Sequence, residues 1–429
     1  MINETENVNQ IVDQLFRHES GKMVSVLTKI LGPSNIELAE DVVQDAIIEA
    51  INQWSYKGVP GNPTGWLYNV AKHKAINFLN REKLRKKYSS ELAHLLQSEW
   101  TARPAINHFF SEQEIEDDQL RMMFTCCHPS ISPDSQIALT LKTLCGFSIP
   151  EIAKAFLTNE ETINKRLVRA RKKIREDEIP FEIPKGSELE KRLQTVLESI
   201  FLLFNEGYSA SKGNDIIRYE LCEEAIRLAY IITGSETIQQ KGNVFALLSL
   251  MYLNASRFKA RQDGEGNLLT MEEQDRSLWD KRMIDIGINY LNQATKNGEV
   301  GIYHSLAAIS SHHCIAVDFN ATNWNAILAL YDHLTLLDNS PLILLNRSVA
   351  VLKVHGVENA IIELEKIETL PSLQSYHLLF STKAEFYFQL NQYSKAAQYL
   401  EKAILLSSQK AEIALLKKKL KLCTQKIIL

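Results

Sequence analysis

The 429-residue chain is poor in cysteine and proline, with six cysteines and eleven prolines. No two cysteines are spaced as C-x-x-C, and only Cys126 and Cys127 are adjacent. This pattern argues against a zinc site and against a disulfide framework. We therefore expect the cysteines to be small buried hydrophobic residues of a protein in a reducing compartment.

Long apolar runs are also missing, and none approaches the ~20 residues that a membrane span needs. Residues 1–10 are polar and lack the apolar core of a signal peptide. No glycine-rich phosphate loop, H-E-x-x-H sequence or nucleophile elbow is present, which disfavours an enzyme. These absences predict a soluble cytoplasmic protein without a cofactor. The group His304, His312, His313 and Cys314 is too ordinary on a helix to predict a metal site.

Net charge is only −4, but the charges are clustered. Residues 72–87 carry seven basic side chains and one acidic one, whereas residues 88–118 carry one basic and seven acidic. Residues 165–175 carry seven basic side chains and no acidic one. Local clustering of this kind points to nucleic acid, which the total charge does not.

Residues 148–176 have the pattern of a helix-turn-helix. Ser148 and Glu151 have the spacing of a capping box, and Thr158 and Glu161 repeat that spacing, so one short helix is predicted to end and a second to begin. The second helix continues into the basic run, as in helices that read the major groove. Two short capped helices with a solvated basic face also occur in many helical proteins, and this reading stays open.

Residues 10–80 are predicted to be helical. Between residues 38 and 50, Val42, Ala46 and Ala50 share one face, while acidic and amide side chains lie elsewhere. Two prolines and two glycines predict a loop from Tyr56 to Pro63. In the next helix the residues predicted to face a core are Leu67, Val70, Ala71, Ile76 and Leu79. Those predicted to point outward are Trp66, Asn69, Lys72, His73, Asn77 and Arg81.

The segments AEDVVQDA (39–46) and GWLYNVAKHKA (65–75), followed by the helix-turn-helix, resemble the sigma-70 family, extracytoplasmic-function group. The likeness covers about residues 10–178. It implies an all-α fold with a region 2 bundle at 8–85, a linker at 86–118 and a region 4 helix-turn-helix at 119–178. It also implies two partners, core RNA polymerase and promoter DNA.

The resemblance assigns roles to particular residues. The surface expected to bind the clamp helices of the largest polymerase subunit comprises Asp41, Gln44, Asp45 and Glu49, and region 4 is expected to meet the flap. The residues expected at the −10 element are Tyr56, Trp66, Asn69, Lys72, His73, Lys74, Asn77 and Arg81. Those expected at the −35 element are Glu160, Glu161, Thr162, Asn164, Lys165, Arg166, Arg169, Arg171 and Lys172. The core of the second helix is expected to hold Ile163, Leu167 and Ile174.

Two of these assignments have open alternatives. Tyr56 either stacks on an extruded base, since aromatic faces hold unstacked bases, or packs on its own domain. The acidic linker either imitates nucleic acid in the polymerase cleft or is simply soluble and extended. Its carboxylates are Glu91, Glu99, Glu112, Glu114, Glu116, Asp117 and Asp118.

The segment 185–429 resembles the C-terminal extension of one subgroup, which carries tetratricopeptide-like repeats. The likeness rests on the segments 126–129, 204–208 and 273–280. An internal repeat, clearest at 341–408, is also visible from residue types alone. Its later unit has Phe380, Ala384, Tyr387, Tyr393, Ala396, Leu400 and Ala403. The positions 36 residues earlier are Leu344, Ser348, Val351, Val357, Ala360, Leu364 and Ile367.

Stacked helix pairs present concave surfaces for peptides or protein segments. The extension is thus expected to contact the sigma domains, the polymerase or a separate partner. Residues 204–208 are either a contact loop or a local helix end at Gly207, and residues 261–269 are predicted to form a hairpin-like excursion. The resulting hypothesis is a sigma factor with a C-terminal regulatory domain and no membrane partner. The alternative is a stand-alone helix-turn-helix regulator with a tetratricopeptide sensor.

Overall fold

The computed structural model describes residues 2–81, 112–156, 158–209, 217–296 and 300–428. These residues form α-helices and short 3-10 turns, and within them the only β contact is one isolated bridge between Gln262 and Leu268. The all-α prediction is confirmed. The chain divides into two compact units, one formed by Met1–Leu202 with Gly234–Ile238 and the other by Leu203–Thr233 with Gln239–Leu429.

The described residues of the first unit form seven helices and the beginning of an eighth. They are α1 (Ile2–Leu31), α2 (Ile36–Lys57), α3 (Pro63–Arg81), α4 (Glu112–Cys126), α5 (Pro133–Thr143), α6 (Ile149–Ala155), α7 (Glu160–Glu176) and α8 (Ser187–Tyr208). Among them, α1 packs against α2 and α3 and also against α4 and α5. The two predicted DNA-binding regions therefore share one long helix.

Two close approaches join α1 to the region around the end of α5. At Gly21 a Cβ atom would lie 2.0 Å from the Leu144 carbonyl oxygen, so only glycine fits. Gly146 has a φ of 68°, in the left-handed region that glycine tolerates. A Cβ at that position would lie 2.2 Å from Ser20 Oγ. The backbone of α1 at Gly21 is therefore in direct contact with the backbone at Leu144, just after α5.

The acidic residues 112–118, the last part of the predicted linker, are helical and lie on α4, not in an extended segment. Lys29 on α1 pairs with Glu114 at 2.5 Å and with Asp118 at 3.3 Å. Asp118 is fully buried and also pairs with Arg121. These carboxylates therefore lie in a contact between α1 and α4, which an alternating charge pattern alone does not reveal. Glu91 and Glu99 lie outside the described residues.

The helix-turn-helix is confirmed as α6 and α7, with one correction at the second helix start. The Ser148 amide and hydroxyl donate to the Glu151 carboxylate at 2.8 and 2.7 Å, as a capping box requires. The cap of α7 is Asn159, not Thr158, because Asn159 Oδ1 accepts from the Thr162 amide at 2.8 Å. The Thr158 amide instead donates to the Ala153 carbonyl at the end of α6.

Helix α8 contains the division between the two units, so the predicted boundary at 185 is displaced. Its first half buries Leu193, Val196 and Leu197 in the first unit. There Arg192 donates to the Phe124 carbonyl, and Ser199 Oγ donates to Gln136 Oε1 at 3.1 Å. The displacement arises because this half of α8 is amphipathic and completes the core beside α4 and α5.

In the second unit, the part of the chain that the structure describes forms the end of α8 and eleven more helices. They are α9 (Tyr219–Gly234), α10 (Gly242–Ala255), α11 (Lys281–Ala294), α12 (Ile302–Ile315), α13 (Trp324–Leu337), α14 (Pro341–His355), α15 (Val357–Ile367), α16 (Pro371–Gln374), α17 (His377–Gln389), α18 (Tyr393–Leu406) and α19 (Lys410–Ile428). Among the described helices, none has the length and low polarity that a bilayer-spanning segment requires.

The two predicted repeat units are two antiparallel helix pairs, α14 with α15 and α17 with α18. Small residues lie fully buried where the helices cross, as Ala360 and Ala396 show. The turn inside the first pair uses Gly356 at φ 87°, and the turn inside the second uses Asn391 at φ 58°. Asparagine therefore takes the left-handed conformation that glycine usually supplies.

The segment 204–208 is the last part of α8, so the contact-loop interpretation is wrong. Gly207 is helical and buried, and a Cβ there would lie 2.7 Å from Cys222 Sγ and 2.9 Å from Cys222 N. Glycine is needed for the approach of α9, rather than to end α8.

The predicted hairpin-like excursion at 261–269 is confirmed by the β-bridge between Gln262 and Leu268 and by Gly266 at φ 81°.

All six cysteines are unbonded, and five of them are buried while Cys314 is partly exposed. Burial raises the pKa of the Cys126 and Cys222 thiols well above the ordinary range. Protonated, enclosed thiols behave as small hydrophobic groups. In the described ranges no three His, Cys, Asp or Glu side chains gather as a metal-binding group.

Candidate polymerase and promoter interface

The predicted polymerase surface is an exposed face of α2. Asp41, Gln44 and Asp45 are exposed, while Val42, Ala46 and Ala50 on the opposite side are buried. The same face also carries Ile48, whose exposed fraction is 55%. Sequence reasoning missed this residue, although its position seven residues after Asp41 places it on the same side. Ile48 thus adds an apolar side chain to the predicted polymerase surface.

The structure brings the predicted polymerase face and one predicted −10 residue together. Lys74 on α3 lies 3.2 Å from Glu49 and 4.0 Å from Asp45. All three groups are partly solvated, and such pairs contribute only ~0.2–1 kcal/mol. Lys74 can therefore leave Asp45 and Glu49 to bind a phosphate, and the two carboxylates can bind a polymerase side chain, at little cost in free energy.

Helix α3 presents a row of polar side chains on one side. Asn69, His73 and Asn77 are all exposed and follow one another at four-residue spacing, which places them on one face. Leu67, Ala71 and Ala75 are fully buried on another face. The amide and imidazole groups of this row can donate to and accept from base edges.

Lys72 was predicted to point outward, but the structure buries it, with 8% exposure. It lies next to Ala71 on the buried side of the helix, where a long side chain can run along apolar surface. Lys72 therefore does not belong to the exposed row. The side chain of Arg81 lies outside the described residues.

The two aromatic residues predicted at the −10 element, Tyr56 and Trp66, lie in different environments. Tyr56 belongs to the last turn of α2, not to the loop, and its exposed fraction is 91%. This exposure excludes the interpretation that Tyr56 packs on its own domain. Trp66 is partly buried and meets the edge of buried Trp54 at a centroid distance of 5.3 Å. One aromatic ring is thus open to solvent, and the other is held by the fold.

The second helix of the helix-turn-helix has one apolar side. Ile163, Leu167 and Ile174 are buried as predicted, and so is Ala170. The residues that point to solvent are Glu160, Glu161, Asn164, Lys165, Arg169 and Lys172, while Thr162, Arg166 and Arg171 are partly buried. An exposed first turn followed by basic groups is the arrangement of a recognition helix.

Several basic groups of α7 are paired with carboxylates. Lys165 pairs with Glu161 at 2.7 Å and Lys172 with Glu176 at 3.5 Å, both one turn apart on α7. Arg166 pairs with Asp134 of α5 at 2.6 Å. Within the described ranges Arg169 makes no ion pair, so its guanidinium is available to a phosphate.

Arg171 is bound to the other predicted DNA-binding region. It pairs with Glu37 at 3.4 Å and with Glu40, both on α2. Glu40 is buried, and this burial raises the pKa of its carboxyl group although Arg171 opposes the rise. The same helix that carries the polymerase face therefore holds the recognition helix.

Comparison with protein families agrees with this geometry. Residues 15–85 match the family described as Sigma-70 region 2, and residues 121–174 match Sigma-70, region 4. Residues 192–295 match a family of unknown function, DUF6596. The first two matches cover α1–α3 and α4–α7, and the third begins inside α8.

Relatives of two kinds were found. The uncharacterized protein R00370 of Rhizobium meliloti is 33% identical over 387 residues, which is 90% of each chain. The sigma-E factors named ECF RNA polymerase sigma-E factor are 27% identical in Escherichia coli K12 and 28% in Haemophilus influenzae. These matches cover 36% of the present chain and 78% and 79% of those proteins. No solved structure matches.

With both sigma-70 regions present in order, and with sigma-E factors similar over the same part of the chain, the comparisons support a sigma factor for transcription initiation of the sigma-70 family, extracytoplasmic-function group.

Proposed function

We propose that the protein binds core RNA polymerase through the α2 face, reads the −35 element with α7 and holds the opened −10 element on α3. In this role it performs no covalent chemistry. The observation that carries the proposal is the exposed row Asn69, His73 and Asn77 on a helix whose opposite side is fully buried. A regulator that binds only duplex DNA needs no such second polar helix.

Promoter opening requires unstacked bases to be held as single strand. Aromatic faces contribute ~1–3 kcal/mol per stacked base, and basic groups neutralise the phosphates. Tyr56 supplies a solvent-open ring at the end of α2, and Lys74 supplies a cation on α3. Buried Lys72 supplies instead part of the support beneath the row.

For the −35 element, we assign Asn164 and Lys165 to base edges and Arg169 to phosphate. The N-terminal residues of a recognition helix meet base edges, whereas later basic residues fix its position on the backbone. Arg166 and Arg171 join them only after they leave Asp134 and Glu40. The α7 arrangement described above is that of the chain without promoter.

The helical second unit is proposed to regulate this activity, with tetratricopeptide-like stacking of the pairs α14–α15 and α17–α18. Support comes from the two helix pairs and their left-handed turns at Gly356 and Asn391. The sigma factor is proposed to act in the cytoplasm, where its polymerase partner works.

The proposal is tested by transcription of genomic DNA with purified core polymerase, with and without the full-length protein, followed by sequencing of the RNA. Transcripts that start at shared −35 and −10 sequences only in its presence support it. The triple variant N69A/H73A/N77A should still bind polymerase but lose these transcripts. If the protein neither co-elutes with core polymerase nor alters transcription, the stand-alone regulator is the better interpretation.

A further inference from the structure

A cavity of about 470 Å³ lies within the second unit. Helices α12, α13, α14, α17 and α19 line it together with the loop around Thr270. Its volume falls in the range of about 300–1,000 Å³ that small-molecule sites occupy. Much of its wall is apolar and aromatic, with Trp324, Ile327, Phe386 and Leu416 among the contributing residues. Such a wall suits the apolar body of a small organic molecule.

A lysine without a carboxylate partner lies at one side of the cavity. The Lys353 ammonium is 4.7 Å from the ring centroid of Phe319 and 5.9 Å from that of Trp324. In the described ranges Lys353 makes no ion pair. Its charge acts on Glu385, but Glu385 has Lys419 at 2.9 Å as its partner. The ammonium is held by aromatic faces and remains able to meet an anion.

Behind the same side of the cavity lies an alternating stack of guanidinium and aromatic groups. Arg276 lies 4.6 Å and Arg257 5.6 Å from the ring centroid of Trp279. Arg257 and Arg261 lie 5.9 and 4.0 Å from the ring centroid of Tyr208. This stack joins the segments 204–208 and 273–280. No carboxylate in the described ranges lies within ion-pair distance of the three arginines.

His313 connects this stack to the cavity. Arg276 Nη1 donates to the His313 carbonyl at 2.5 Å, while the His313 ring lines the cavity. The side chain is nine-tenths buried, and its Nδ1 has no hydrogen-bond partner. Burial and the charges of Arg257 and Arg276 lower the pKa of His313 to about 4. The imidazole is therefore neutral at pH 7 and sits in a positive potential.

The carboxylates on the far wall have different neighbours. Glu385 faces Lys419 at 2.9 Å, whereas Glu412 lies 2.9 Å from His377, which balances its charge only when the imidazole is protonated. Glu272, on the loop, is exposed to solvent. On the opposite side, the ammonium of Lys353 has no ion pair in the described ranges and lies beside the same cavity as the neutral His313. Lys353 is itself exposed to solvent, so an anion can reach its ammonium from the open side of the cavity.

The middle of the cavity also offers a free hydroxyl group. Tyr331 lines the cavity, and its hydroxyl makes no hydrogen bond with the part of the chain that the structure describes. Burial raises the pKa of Tyr331 to about 12. The group therefore keeps its proton at neutral pH and can donate to a ligand atom.

We propose that this cavity binds a small organic anion with an aromatic or branched aliphatic body. The acidic group meets Lys353 beside His313, the body packs on Trp324, Ile327 and Phe386, and Tyr331 donates to a polar atom of the ligand. The use of such a ligand as a regulatory signal rests on the function proposed above for this unit. The binding itself does not.

The probe for this site is anilinonaphthalene sulfonate, an aromatic anion whose fluorescence rises in apolar pockets, added to the full-length protein. We expect saturable binding of one probe per chain, with energy transfer from tryptophan that the variant W324F reduces. K353M should weaken binding of the anion by about tenfold, as expected for the loss of one charged contact. It should leave the uncharged analogue phenylnaphthylamine unaffected.

K402M is the matched control, because Lys402 also lies over an aromatic ring, 4.0 Å from the Phe380 centroid, but does not line the cavity. K353R keeps the charge and should keep anion binding, which separates charge from folding. The proposal is overturned if K353M and K402M affect the anion equally, or if the charged and uncharged probes lose affinity alike. Because no polymerase is present, failure here leaves the transcription proposal standing.

Discussion

Arg171 of the recognition helix donates to the buried carboxylate of Glu40, 131 positions earlier on the helix that carries the predicted polymerase face. The −35 and −10 elements lie roughly 25 base pairs apart, about 85 Å along B-DNA at ~3.4 Å per base pair. Regions 2 and 4 cannot occupy both elements while this pair holds them together. If regions 2 and 4 occupy both elements as proposed, the contact between Arg171 and Glu40 must break when the promoter binds.

The variant R171M should destabilise the first unit. It leaves Glu40 as a buried carboxylate with its main cation removed, and losing one partner of a buried pair costs about 3 kcal/mol. Adding E40Q should restore much of that loss, since a neutral amide needs no counter-ion. Urea unfolding at pH 7 measures both changes. Equal stability of the single and double variants would show that the pair contributes nothing specific.

Asp118 should make stability depend on pH. Burial raises its pKa to about 6 despite Lys29 and Arg121, whereas an unfolded aspartate titrates near 4. The native state therefore binds more protons between these values, and the contribution of Asp118 to stability falls as pH rises from about 4 to 6. A shift of this size corresponds to about 3 kcal/mol.

Urea unfolding of the wild type and D118N across this range tests the dependence. The wild type should lose stability relative to D118N as pH rises, and the two should run parallel above about pH 7. A constant difference at every pH would show that Asp118 titrates normally.

Arg169 should contribute more to promoter affinity than the basic residues of α7 that are paired with carboxylates. It is exposed and makes no ion pair in the described ranges, so no carboxylate must be displaced. R169A should weaken promoter binding across sequences and reduce the dependence on log salt by about one unit. Fluorescence anisotropy of the polymerase-bound protein at several salt concentrations measures this. K185A, at an exposed lysine outside α7, serves as the control and should change neither quantity.

Ile48 should be part of the polymerase-binding surface. An apolar residue at 55% exposure gains when a partner covers it, and its removal from such a contact costs about 1–2 kcal/mol. I48A should therefore weaken core polymerase binding about tenfold. The matched variant L405A removes a residue that is 85% exposed in the other unit and should have no effect. Equal affinities of I48A and wild type would remove Ile48 from the interface.

Gly207 should not tolerate a side chain, although alanine is the better helix former. The added methyl would lie within 3 Å of Cys222 and Leu221, and overpacking of this kind costs about 1–3 kcal/mol. G207A should lower the thermal midpoint of the second unit. At Gly264 an added Cβ meets no atom within 4 Å, so G264A is the control. A midpoint unchanged in G207A would mean that α9 can move aside.

Local patterns predicted the elements well but not their contacts. The capping box at Ser148 and Glu151 and the core positions Ile163, Leu167 and Ile174 followed from spacing alone, because helix periodicity and capping act within one turn. The start of α7 was wrong by one residue, since Thr158 and Asn159 are both good caps and only the geometry of the turn selects between them.

Contacts between segments far apart in the chain could not be predicted from the sequence. Nothing near Arg171 indicates Glu40, and nothing near Glu114 and Asp118 indicates Lys29, because such pairs depend on how whole helices meet. Lys72 was placed outward by its charge, although its long aliphatic stem allows burial. Ile48 was overlooked because a lone exposed apolar residue gains meaning only beside a defined surface.

The absence of a side chain at Gly21 has a consequence for how this protein can change. A methyl group on the α-carbon of Gly21 would overlap the Leu144 carbonyl. The small substitution of Gly21 by alanine would therefore push α1 away from the end of α5. Such a change would leave each DNA-binding region chemically intact and alter only their attachment. Evolution could thus adjust how firmly the sigma regions are held together without rewriting either recognition surface.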